Sequence, residues 1–275
     1  MTPLPVLVVS HGAAVFTAAA EDPTHRWLTS LAPQVAAAAP RAIVVVSAHD
    51  LTEGHWAVST NDRLSVVHDH PAAEWHDERY TVPGAPELSA RLVDALRALQ
   101  LPVKSDARAG LDHGAWLPLR AVVPRADVAV VRLSLNTRAT FEQHLAVGAA
   151  LEPLRREGVL VLASGSVTHN QQEFRTRFFR GAALGEDPPA FSVRYDAWVA
   201  QTLAVSDPLE RVAALAGYSR HEDFAQAHPT PDHLWPVLVA TGAAGADLGR
   251  RAHAGFQHGL SMSAFLFGQW STGSS

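Results

Sequence analysis

Short, unbroken apolar runs recur along the chain, and several of them end on polar turn residues. Residues 4–9 run into Ser10, His11 and Gly12. Residues 42–46 run into Ser47, Ala48, His49 and Asp50, and residues 159–163 lead towards His169 and Asn170. A run with no polar alternation is apolar on both faces, as a strand buried within a parallel sheet requires. Residues 128–135 read the same way, 56–60 more weakly, and the terminal "GLSMSAFLFG" reads as a late strand returning to the core. Between the strands the period changes to that of a helix. Residues 24–38 set Trp27, Leu28, Leu31 and Val35 on one face, and 86–99 open with a proline and align Leu88, Leu92, Val93, Leu96 and Leu99. Residues 140–157 begin with Thr140 and Gln143 at capping-box spacing and stop before Gly158. Further helices are expected over 188–204, over 206–216 with Ser206 as cap, and over 232–243. Strand and helix alternate without a low-complexity linker or an internal repeat. The pattern predicts one α/β domain over residues 1–275, with a central mostly parallel or mixed sheet and helices on both faces.

Composition narrows the chemistry. The chain has no cysteine, which removes disulfides, thiolate metal sites and a cysteine nucleophile. A formal net charge of −5 provides no broad basic surface, so no nucleic-acid partner is expected. The start lacks the basic stretch of a signal peptide, and no run reaches the roughly 20 apolar residues that a bilayer span needs. The expected location is therefore cytoplasmic, with no membrane partner. The most unusual count is fifteen histidines against a single lysine, Lys104.

Position sorts those histidines. In open α/β sheets the working crevice lies beyond the carboxyl ends of the strands. His11, His49 and His169 each follow a predicted strand end, so the fold should deliver them to one rim. His113 lies in "GLDHGAW", where Asp112 could also cap the following segment, and His228 and His233 lie in "HPTPDH", stiffened by two prolines. Nucleophile-elbow, phosphate-loop, dinucleotide-glycine and His-Glu-x-x-His patterns are all absent. Ser10 and Ser47 adjoin histidines, but neighbouring strand residues face opposite ways and make no ready nucleophile–base pair.

Taken together, "SHG" (10–12), "SAH" (47–49), "LDHGAW" (111–116), "THN" (168–170) and "PTPDH" (229–233) resemble, in order and spacing, the class III extradiol ring-cleavage dioxygenases, and most closely their DOPA 4,5-dioxygenase-like branch. "VPGAPELSARL", "EGVLVLASGSVTHN" and "LSMSAFLF" resemble the same branch, so the likeness spans nearly the whole chain. It implies a mononuclear Fe(II) that opens a catechol ring with O2, with zinc possible in the same site. It implies His11, His49 and His233 as metal ligands, His169 as the acid–base residue beside the metal or also a fourth ligand, and His113 as a second proton donor facing substrate or bound oxygen. Imidazole suits Fe(II), and three ligands on one side leave positions open for a chelating catechol and O2. A neutral imidazole can also take a catechol proton near neutral pH.

The chain departs from that branch at the expected mouth of the site. Ala13-Ala14 replaces the usual Ser-Pro, Asp50 stands where an aromatic commonly follows Ser-Ala-His, and residues 66–80 replace an aromatic- and glycine-containing loop. Asp50, His68 and His70 are therefore the expected substrate contacts, for a DOPA-like or related catechol acid. The competing readings are a zinc hydrolase built on the same histidines and a non-catalytic metal-binding member of the fold.

Overall fold

A computed structural model describes residues 2–13, 19–69 and 79–270. Its central sheet has six strands, in the spatial order Gly249–His253, Ala264–Phe267, Val6–Ser10, Val159–Gly165, Ala42–Ser47 and Ala129–Arg132. The last four are mutually parallel, while the C-terminal pair joins antiparallel at one edge, so the sheet is mixed.

Each central strand feeds two cores, because alternate residues point to opposite faces. Val6, Val8, Val44, Val46, Val161 and Phe265 pack on one side, against the helices Pro86–Ala98, Phe141–Arg155, Ala190–Leu203 and Trp235–Ala244. Leu7, Val9, Ile43, Val45, Leu160 and Leu162 pack on the other, under Pro23–Ser30, Ala32–Ala38 and His113–Val122. Burial on both faces explains the unbroken apolar runs.

Several local expectations shift. The 24–38 helix divides at Leu31, just before Pro33, into two short helices. The 128–135 run ends its central strand at Arg132, and Leu135–Asn136 pairs separately with Leu51–Thr52. Trp56–Ser59 lies outside the central sheet and pairs with Val103–Asp106. The helix after residue 206 is capped by Asp207 rather than Ser206, because the carboxylate accepts from both Leu209 and Glu210 N–H groups. The Thr140–Gln143 capping box is present. Three α-helices among the described residues went unread in the sequence, His113–Val122, Gln171–Phe179 and the four-residue Phe224–Ala227; Gln171–Phe179 has no buried residue and so leaves no apolar stripe. Among the described residues no helix is long and apolar enough to cross a membrane.

Candidate metal centre

The sheet register sets the site. Ser10 pairs with Gly165, and Ser164 with Ser47, so the chain leaves three adjacent parallel strands at one level. His11 is the first residue past its strand, and its backbone N–H still donates to Gly165 O at 3.2 Å. The turn 47–50, closed by Asp50 N–H on Ser47 O, carries His49 onto the same rim. The His233 segment is drawn in from the far end of the sequence: Ser166 N–H donates to His233 O and His169 N–H to Ala227 O. Gly165 permits this approach, since a Cβ there would lie 2.3 Å from the His233 carbonyl oxygen.

Three imidazoles from three remote segments thereby converge. The ligating atoms of His11, His49 and His233 lie within 4.8 Å of one another, and His11 Nε2 and His49 Nε2 are 3.1 Å apart. The opposite nitrogens of two of them are occupied. His11 Nδ1 meets Ser164 Oγ at 3.0 Å, and His233 Nδ1 pairs with the Asp232 carboxylate, while His233 Nε2 is buried with no hydrogen-bond partner. An orphaned buried nitrogen is costly unless something binds it. Burial holds His11 well below the usual histidine pKa and pulls His49 down to about 3, with neighbouring imidazoles adding repulsion. His11 and His49 thus stay neutral and offer lone pairs, the form a metal needs. Burial alone would raise Asp232, yet its hydrogen bond to His233 holds the carboxyl below its ordinary range. A carboxylate behind a ligating histidine fixes its tautomer and raises its basicity. The donor set and its outer partners therefore fit a divalent transition metal.

His169 and His113 flank the cluster. The His169 ring stacks on His233 with centroids 3.3 Å apart, and burial, then His233, lowers its pKa to about 2. The His113 ring lies 3.9 Å from that of His49. Two cavities meet here. One of about 350 Å³ is lined by His11, His49, His113, His169, Phe174 and Arg175, among others; the second, about 470 Å³, shares His49 and His169 and reaches Pro229 and Thr230.

The substrate-contact expectations fare differently. Asp50 is turned away from both cavities: its carboxylate lies 2.8 Å from Arg132 Nε, in a buried ion pair. Its neighbour His49 takes the rim side of the turn, while Asp50 lines neither cavity. His68 is exposed and lines neither cavity. His70 lies outside the described residues. Sequence reasoning missed Phe174 and Arg175, which share a helix with no periodic signal, and Asp69, which meets His113 across 44 positions. Of the remaining histidines, His144 and His228 are buried and bonded to backbone carbonyls, and His253 stacks on Trp27.

Residues 5–268 match the family described as the catalytic LigB subunit of aromatic ring-opening dioxygenase. The chain is 34% identical over 248 residues to a 4,5-DOPA dioxygenase extradiol of Escherichia coli (strain K12), covering 88% of this chain and 86% of that protein. It is 33% identical over 241 residues to the 4,5-DOPA dioxygenase extradiol of Beta vulgaris, covering 86% and 85%. The crystal structure of an uncharacterized protein from Escherichia coli K12 superposes with a TM-score of 0.74 at 29% identity, over 96% of this chain and 100% of that one.

Proposed function

From the premise that the chain belongs to the family of the catalytic LigB subunit of aromatic ring-opening dioxygenase, we propose that it opens the ring of a catechol acid with O2, using Fe(II) held by His11, His49 and His233. The observation that carries this reading is the convergence of those three imidazoles, with His233 Nε2 buried and unpartnered. When bound, Fe(II) would supply the redox chemistry that lets a catechol react with O2, which zinc cannot.

The chain's own residues do the rest. The cavity of about 350 Å³ suits a single substituted ring, with Phe174 and Leu260 as apolar walls. Arg175 is the cation lining it and would take an anionic ring substituent. His169, kept neutral by burial, accepts the proton of a catechol hydroxyl at a ring nitrogen. His113 stands on the other side of the cluster; its Nδ1 is committed to Asp69, so Nε2 is the nitrogen that meets substrate, taking up the second catechol proton there and passing it to the developing oxygen anion.

Iron-reconstituted protein in an oxygen electrode with a panel of catechols tests the reading. One O2 consumed per ring opened, with a yellow product, is expected. No uptake with any catechol by protein carrying stoichiometric iron would overturn it.

A further inference from the structure

The reading above leaves one carboxylate at the site without a task. Asp69 Oδ1 accepts the backbone N–H of His113 at 3.0 Å, and Oδ2 lies 2.8 Å from His113 Nδ1. One side chain thus grips both the main chain and the ring of the same histidine.

The two segments are joined just upstream of this contact. Val67 N–H donates to Leu111 O and Leu111 N–H to Ser65 O, each at 2.8 Å, and Val66 forms a parallel bridge with Leu111. Asp69 and His113 each lie two residues beyond that joint. On the His113 segment Asp112 caps the helix that His113 opens, accepting from Ala115 N–H. The backbone is therefore fixed ahead of both residues and, at His113, by the helix that follows. Burial opposes ionisation of Asp69, but the hydrogen bonds from the ring and backbone of His113 hold its carboxyl below the ordinary range. Both residues line the cavity that contains His11, His49 and His169.

We propose that Asp69 is the positioning residue of His113: its two-point contact with the backbone N–H and Nδ1 sets the ring's angle and holds the Nδ1–H tautomer, so that Nε2 faces the reacting ring. A histidine gripped by a carboxylate keeps one tautomer and one orientation, which acid–base work requires. The kinetic consequence rests on the ring-opening reading; the tautomer itself does not. Asp69 also lies within 4.8 Å of a ligating atom of His49, which would suit a metal ligand, but both its oxygens are engaged by His113.

The test uses zinc-loaded protein with ¹⁵N-labelled histidine, the His113 signals being assigned by loss in His113→Asn. Wild type should show a protonated Nδ1 and an unprotonated Nε2 at His113. Asp69→Ala should give mixed tautomers there and no change at His11 or His233. Asp69→Asn, near-isosteric and able to accept from only one of the two donors, should fall between. In iron-loaded protein turning over a catechol, Asp69→Ala should lower kcat by about 10- to 100-fold, with KM and metal content within about twofold of wild type. An unaltered His113 tautomer in both variants would overturn the proposal. So would loss of bound metal in Asp69→Asn, which would make the carboxylate a ligand. If wild type opens no catechol, the ring-opening reading fails while the tautomer result still decides the role of Asp69.

Discussion

His144 is buried and His169 half-buried, and both are held neutral, yet their surroundings assign them opposite roles. His144 lies between Trp56 and Trp235, each 5.2 Å away by ring centroid, with Nδ1 donating to Thr140 O. Burial lowers its pKa to about 4, only partly opposed by that carbonyl. Between pH 6.5 and about 4 the unfolded chain binds a proton there that the folded chain refuses. Its contribution to stability is complete above pH 6.5 and is lost as the pH falls towards 4. His144→Gln should flatten the decline in urea-unfolding free energy across that window by about 1.4 kcal/mol per pH unit. A slope equal to wild type would show that His144 titrates normally. His169, by contrast, borders both cavities and stacks on His233, a proposed metal ligand. His169→Ala should retain metal, as read by elemental analysis, while single-turnover ring opening slows by about 10²- to 10⁴-fold.

At the scale of elements, the position of His233 depends on the helix that follows it. Trp235–Ala244 packs against Phe141–Arg155, with close approach at two glycines. A Cβ on Gly148 would lie 2.0 Å from Val239 O, and one on Gly242 would lie 2.1 Å from Leu145 O. Both obstacles are backbone, so a methyl group can be accommodated only by separating the helices. Gly148→Ala should cost about 1–3 kcal/mol and lower the melting temperature by several degrees, measured by circular dichroism. The Thr140–Gln143 capping box and the proline-rich start after "HPTPDH" made the two helices legible, but such end signals do not say which faces meet. The strand runs were legible because a strand buried on both faces must be apolar throughout. The helix Gln171–Phe179 was not legible because it buries nothing, and it brought Phe174 and Arg175 to the site unannounced.

For the whole molecule, three candidate ligands drawn from residues 11, 49 and 233 make the proposed site a property of the folded chain alone. A metal that binds only the native state raises its stability by about 2.7 kcal/mol at a free concentration a hundred times Kd. The melting temperature of protein stripped by a chelator should therefore rise on adding Fe(II) anaerobically or Zn(II). The rise should vanish in His233→Ala, and persistence there would place the metal elsewhere. What the sequence determined by itself was whatever depends on local pattern: buried strands, amphipathic helices, and histidines placed at strand ends, where a parallel sheet collects them at one rim. Tertiary structure decided what depends on distances between remote segments. It turned Asp50 to Arg132, joined Asp69 to His113 and left His233 Nε2 without a partner. Side-chain direction at a turn and pairing across dozens of residues are set by packing, and neither leaves a period in the sequence.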